Sequence, residues 1–475
     1  MTKGDVPAQS GIFRRKPIGA DESDDGGLER SLGLWQLTAI GIGAIIGAGI
    51  FTLAGTVANG TAGPAVSVSF LIAGVASACA ALSYAEFGGM IPQAGSAYTY
   101  GYAVLGEFAG WMIGWDLLLE YTAIVAVVAI GISGYFSFLL DDLGVSLPTW
   151  MLGAPGTGGG HKVDLFALIL CLLIAALLNR GIRTSARAET ILVGVKVAIV
   201  VAVIVVGAFY VKSGNLTPYF PYGFGGAVTG AATVFFAVFG YDAMSTAAEE
   251  SKDAQRTLPK AIVLSLAISM VLYLLACTVL TGMQRYNVID PESGFSSAFQ
   301  AVGLSRFADV VAVGAIIGIL TVLFSFMLGA SRVWFAISRD GLLPKWFAKT
   351  NRQHAPYRPT WIVGIVSAGI AGLTPINEAA ELVNIGILLA FIVVSASVIV
   401  LRYRSPDIER TFRAPLMPVL PLVGIGFSIW LITQLDSVTF IRFIVWFVLG
   451  VLVYALYGYR NSNLAKGYVV QTKDV

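Results

Sequence analysis

The chain has 475 residues, of which 56% are hydrophobic and 12% charged, against about 25% charged in a soluble domain. Its formal net charge of +2, with no basic run interleaved with aromatics, excludes a nucleic-acid surface. Apolar stretches of roughly 20 residues, enough to cross a hydrocarbon core of about 30 Å, recur from Leu34 almost to the end. The expected fold class is therefore an all-α polytopic membrane protein whose solvent is the lipid bilayer.

In chain order, residues 1–33 are polar, with Asp21, Glu22, Asp24 and Asp25 close together, and read as a mobile cytoplasmic tail rather than a signal peptide. Hydropathy then predicts about twelve spans, near 34–58, 64–91, 104–140, 163–180, 188–211, 226–250, 260–283, 306–337, 359–374, 381–401, 415–434 and 440–458. Residues 459–475 form a second cytoplasmic tail. Cys79, Cys171 and Cys277 all fall in apolar spans, far apart in sequence, and read as small packing residues rather than a disulfide or metal set. No metal and no cofactor is expected.

Sorting Lys and Arg by loop tests this topology. With a cytoplasmic amino terminus, 24 of the 30 fall on the cytoplasmic side and five on the other (Lys162, Lys212, Arg285, Arg306 and Arg442), leaving Lys196 inside a span. The positive-inside rule then places both termini in the cytoplasm, and the expected location is the plasma membrane.

The first span contains four glycines in nine residues, Gly41, Gly43, Gly47 and Gly49. Glycine inside a helix costs about 1 kcal/mol relative to alanine. One reading is close helix packing through small residues. The other is a stretch unwound near mid-membrane, tolerated where it lines a cavity. The sixth span favours the second reading, because Phe235 to Asp242 sets Gly240 and a carboxylate among aromatics. Interrupted helices at matching places in two halves point to a transporter site in an inverted-repeat fold. Freed amides there would hold a carboxylate and freed carbonyls an ammonium, which suits a zwitterionic amino acid. The expected substrate-binding residues at the breaks are Ile46, Gly47, Ala48, Gly49, Ile50, Phe239, Gly240 and Tyr241.

These residues belong to a longer series. It runs through Ile42 to Ile50, Tyr84-Ala-Glu86-Phe, Pro92 to Tyr98, Gly114 to Tyr121 with Asp116 and Glu120, and Phe239 to Asp242 with Glu249 and Glu250. Gln255 to Pro259, Ser338 to Pro344 and Phe412 to Pro418 complete it. In this order and spacing the chain resembles the amino acid-polyamine-organocation superfamily, and within it the cationic amino acid transporter family. The resemblance covers Leu34 to Gly458. It implies a LeuT-type five-plus-five inverted repeat, with residues 34–211 and 226–401 as the two halves and 402–458 as two added helices.

Intramembrane charges are the remaining candidates. Lys196 starts about eight residues into the fifth span; it could snorkel outward or be buried for function. In sodium-coupled members of this fold a cation sits between spans 1, 5 and 8, and in proton-coupled relatives a span 5 lysine is similar to its replacement. The resemblance thus implies Lys196 as a proton carrier, with Thr321 and Ser325 of span 8 within reach. Glu120 is either a carboxyl tied to a neighbouring helix or a group beside the pocket, and Asp116 precedes it by one helical turn. Glu86 and Glu189 lie near cytoplasmic ends, where loop arginines can pair with them; Asp242 could face water or pocket. Phe236 corresponds to the aromatic that closes over substrate in relatives. Phe324, Phe326 and Met327 would crowd the pocket and disfavour a cationic substrate, and Phe326 is taken as a selectivity residue.

His161 and His354, the only histidines, sit in different loops, and no phosphate-binding Gly-rich loop exists. An enzyme or direct ATP use is thereby disfavoured, and paired breaks argue for alternating access over a channel's continuous pore lining. The expected function is secondary active amino acid transport, with the proton as the expected coupling ion. A sodium symporter or an amino acid or polyamine exchanger is the alternative. The expected partners are the amino acid, the bilayer and a proton; oligomeric state is left open.

Overall fold

A computed structural model describes residues 11–15, 32–90, 96–180, 186–241, 244, 251–351, 356–408 and 410–466. The described chain is almost entirely helical, with one two-residue hairpin, β1 (Leu152–Gly153) against β2 (Val163–Asp164). The helices are α1 (Leu34–Ile45), α2 (Val66–Met90), α3 (Ser96–Val104), α4 (Glu107–Asp142), α5 (Leu165–Asn179), α6 (Ala186–Ala208) and α7 (Gly223–Thr233). After these come α8 (Ala254–Met283), α9 (Gly294–Ala301), α10 (Ser305–Arg339), α11 (Tyr357–Leu373), α12 (Ile376–Arg404), α13 (Val419–Ile432) and α14 (Ser437–Val453). Among the described residues each expected span contains helix, the first and sixth with interruptions, and α4 and α10 have the expected extra length, at 36 and 35 residues.

Burial separates the helices into a core and a coat. In α4 nearly every residue from Gly110 to Tyr135 is buried, as befits a helix hydrophobic all round at the centre of a bundle. It packs most extensively on α10 and also on α12 and α11. In α14 only Thr439 and Gly450 are buried, and Ile441, Ile444, Val448 and Leu452 are exposed, an apolar surface suited to lipid. The three cysteines are free and buried.

Polar contacts fix the helix ends. Asp164 caps α5 by accepting the Ala167 N–H at 2.9 Å and the Ser133 hydroxyl at 2.7 Å. Glu86 of α2 receives Arg402 through Nε at 2.7 Å and Nη2 at 2.6 Å, with Arg410 at 3.3 Å; this is the pairing with arginines that its position suggested. Glu189's side chain and Asp242 lie outside the described residues.

The amino-terminal segment departs from the expectation of a mobile tail at residues 11–15. The Glu107 and Phe108 N–H groups donate to the Arg14 and Ile12 carbonyls at 2.6 and 3.1 Å. Gly106, with φ of +111°, lets this strand lie against it. Arg14 is buried; its guanidinium lies 3.4 Å from Glu107 and 4.8 Å from the Tyr459 ring centroid. Glu107 also accepts hydrogen bonds from Tyr102 at 3.2 Å, Tyr454 at 2.9 Å and Ser462.

Candidate substrate site at the paired helix breaks

α1 ends at Ile45, and Ile46 takes an extended conformation with φ −75° and ψ 104°. The chain becomes helical again in a wide turn over Gly49–Leu53. α7 ends at Thr233, a tight 3-10 turn covers Phe235–Val238, and Phe239 is extended. Gly240 follows with φ of +129°, a region that L side chains avoid. Each break leaves amides and carbonyls without helical partners.

The breaks touch each other at two points. A Cβ on Gly49 would overlap the Ala237 methyl and lie 2.5 Å from its Cα, and one on Gly240 would lie 2.8 Å from the Ala44 carbonyl carbon. The glycine motif of the first span therefore does two jobs. Gly41 and Gly43 allow close helix packing, against Met244 and Val193, whereas Gly47 and Gly49 belong to the break. Bulk at Gly49 would first collide with Ala237, so the reason for a glycine there is backbone approach rather than only space for a carboxylate.

Side chains from distant helices take up the freed carbonyls. Lys196 of α6 is 0% exposed, which rules out snorkelling; its ammonium donates to the Gly43 carbonyl at 2.7 Å and to that of Ile46 at 3.1 Å. Tyr273 of α8 donates to the Ile45 carbonyl at 2.7 Å, and Tyr135 of α4 to that of Phe51 at 2.5 Å. At the second break, Ser77 of α2 donates to the Val238 carbonyl at 2.9 Å. Asn384 of α12 accepts the Phe236 N–H at 2.7 Å and donates to the Thr233 carbonyl at 2.9 Å.

Between the breaks lies a narrow cavity, with room for about one water molecule in this conformation. Six expected residues line it: Gly47, Ala48, Gly49, Phe236, Phe239 and Phe326. Ala44, Ile45, Ile124 and Val322 complete the wall. All the lining side chains are apolar, so polar recognition there falls to backbone groups. The amides of Gly49 and Ile50, at the start of the resumed helix, lack intrahelical acceptors.

Other expected residues stand elsewhere. Ile46 contributes its carbonyl to Lys196 rather than a wall to the cavity, and Ile50 lines a separate apolar void with Phe51, Val200 and Phe295. Gly240 makes the turn against Ala44. Tyr241 stacks on Phe391 with ring centroids 5.9 Å apart, and its hydroxyl lies 3.3 Å from Ser77. Glu120 is buried, with its Cβ next to Gly386 of α12, as is the Asp116 carboxylate, and neither lines the cavity. In α10 the position facing Lys196 is Gly318, whose Cβ would lie 3.1 Å from that of Lys196. The Thr321 hydroxyl donates to the Gly318 carbonyl at 2.8 Å, and Thr321 and Ser325 are only half-buried. Of the three bulky residues of α10, Phe326 alone reaches the wall, packed edge-on against Tyr121 with ring centroids 5.4 Å apart.

Ile124 carried no sequence signal of its own, since its neighbour one turn earlier, Glu120, stands off the cavity wall. Val322, Tyr273, Ser77 and Asn384 likewise carried none.

Several known proteins resemble this chain over most of its length. The sequence model of the amino acid permease family matches residues 32–453. The methylthioribose transporter of Bacillus subtilis (strain 168) is 44% identical over 96% of this chain and 100% of its own length. The branched-chain amino acid permease BcaP of the same organism is 43% identical over 95% of this chain and 99% of its own. The vacuolar cationic amino acid transporter 4 of Arabidopsis thaliana is 38% identical over 80% of this chain and 64% of its own.

Proposed function

Because the chain belongs to the amino acid permease family, we propose that it takes up neutral amino acids with small to branched aliphatic side chains, driven by a proton gradient. The observation that carries the substrate class is the cavity wall, apolar in every side chain and bordered by the freed backbone of both breaks. A zwitterion can satisfy its carboxylate and ammonium on backbone amides and carbonyls while its side chain meets Ile124, Val322, Phe236 and Phe326. A cationic side chain would be buried without a partner, which is costly. The same argument disfavours a sugar thioether such as the substrate named for the methylthioribose relative, because its hydroxyls would face apolar walls.

Coupling rests on Lys196. Charged, it ties α6 to the carbonyls of the first break and repels sodium, since unit charges about 4 Å apart interact by several kcal/mol even at an effective dielectric near 20. Deprotonated, it offers those carbonyls only weaker, uncharged donors, which loosens the break and shifts a two-state equilibrium by the difference in binding. The chain works by alternating access between the two five-helix halves, residues 34–211 and 226–401, with both termini in the cytoplasm and the plasma membrane as its location.

The test is uptake of labelled L-leucine, L-alanine and L-arginine into proteoliposomes with an imposed inward proton gradient, with and without sodium and a protonophore. The expected result is sodium-independent, protonophore-sensitive accumulation of leucine and alanine over arginine. Sodium dependence, or exchange that ignores the proton gradient, would replace proton coupling. Preference for arginine would replace the substrate class.

A further inference from the structure

The 3-10 turn Phe235–Val238 carries Phe236, whose ring forms part of the cavity wall. A turn of this kind has poor hydrogen-bond geometry and holds its shape weakly by itself. Its amino-terminal side is completed from outside. Asn384, 0% exposed on α12, stands in for a peptide unit: its Oδ1 accepts the Phe236 N–H and its Nδ2 donates to the Thr233 carbonyl. Both halves of the amide are used, and this reciprocity fixes which end is oxygen and which is nitrogen.

The same helix grips the other side of the break. Phe391 follows Asn384 by seven residues, two helical turns along one face. Its ring centroid lies 5.5 Å from that of Phe235, 5.6 Å from Phe239 and 5.9 Å from Tyr241. α12 thus holds the second break at both ends, by an amide at Phe236 and by ring packing beyond it. Asn384 itself does not line the cavity.

We propose that Asn384 is a positioning residue for substrate occlusion: by fixing the Phe236 backbone it sets where the Phe236 ring stands over the bound amino acid. Its effect on transport runs through that ring. The proposal rests on the reading of the cavity as the amino acid site, and its test is arranged so that the two can fail separately.

The first measurement needs no substrate. Hydrogen–deuterium exchange of the full-length purified protein should show slow exchange of the Phe236 amide in wild type and faster exchange in Asn384→Leu. Equal exchange in the two proteins overturns the proposal.

The second measurement is concentration-dependent uptake of L-leucine into proteoliposomes. Asn384→Leu should raise KM about tenfold, on the order expected when a buried polar group loses its partner, with kcat nearly unchanged, the signature of lost binding rather than lost turnover. Asn384→Ser, which leaves room for a water, should raise KM less and serves if the leucine variant does not fold. The deciding comparison is a double-mutant cycle: in a Phe236→Ala background, Asn384→Leu should add no further rise in KM. A full additional tenfold rise there would show that Asn384 acts elsewhere and sink the proposal. If wild type does not transport leucine, the substrate reading fails, and the exchange measurement alone decides the role of Asn384.

Discussion

Around the break after α1 the freed carbonyls are taken by an ammonium and two phenols, those of Lys196, Tyr273 and Tyr135. Around the break after α7 the backbone is held by an amide and an aliphatic hydroxyl, those of Asn384 and Ser77. The first set contains a group whose charge can change; among the described residues the second contains none that titrates in the physiological range. The difference assigns different inputs to the two breaks in the proposed cycle. In that proposal a proton would act on the first through Lys196, and the substrate on the second through Phe236. The two breaks touch where Gly49 meets Ala237 and Gly240 meets Ala44.

The largest expected effect removes the titratable member. Lys196→Ala should abolish protonophore-sensitive leucine accumulation by at least a hundredfold, since each hydrogen bond from a charged donor is worth on the order of 1.5–3 kcal/mol and two are lost. Leucine exchange across the membrane should fall far less, because the second break is untouched. Accumulation that survives the substitution would erase the proposed division between the breaks.

Next in size is the contact between them. Gly49→Val should weaken equilibrium leucine binding by more than tenfold while the protein still inserts, because the new side chain must push Ala237 and its turn away from the cavity. Undiminished affinity, read by scintillation proximity on detergent-purified protein, would mean that the breaks do not need to touch.

Phe326→Ser sharpens the comparison from the cavity wall. Opening the wall beside Tyr121 should improve uptake of larger side chains relative to alanine by several-fold, with the proton dependence left as in wild type. If the pH profile moves with the selectivity, substrate and proton do not act on separate elements. The smallest effect belongs to Tyr273→Phe, which removes one neutral hydrogen bond from the Ile45 carbonyl. It should cost about 1 kcal/mol, or a roughly fivefold change in leucine affinity, and leave the proton dependence in place.

The first break was legible because its chemistry is written locally. Four glycines in nine residues of an apolar span and a lysine inside another are anomalies against a uniform background, and each marks a place where ordinary helix is uneconomical. The second break was half legible, through Gly240 among aromatics. The side chains that hold both breaks were not. Asn384 is a buried polar residue 148 positions from Phe236, and Tyr273 lies 228 positions from Ile45. Nothing near them in sequence says which carbonyl they meet. Glu120 misled for the opposite reason: an intramembrane carboxylate stands out in any scan, yet its Cβ packs beside Gly386, away from the cavity wall. Thr321 and Ser325 were chosen by helical spacing, whereas Gly318, which has no side chain to attract notice, is the position that meets Lys196.

Glu107 also bears on the order in which the molecule can be completed. Its partner Arg14 precedes it by 93 residues, whereas Tyr454 and Ser462 follow by 347 and 355. During synthesis the arginine is present from the outset and the two late hydroxyls only when nearly the whole chain has left the ribosome. Until then Glu107 has only its earlier partners, Arg14 and Tyr102. Arrival of the segment after α14 supplies the Tyr454 and Ser462 hydroxyls, so the contacts of one glutamate span the chain from its first described residues to its last helix.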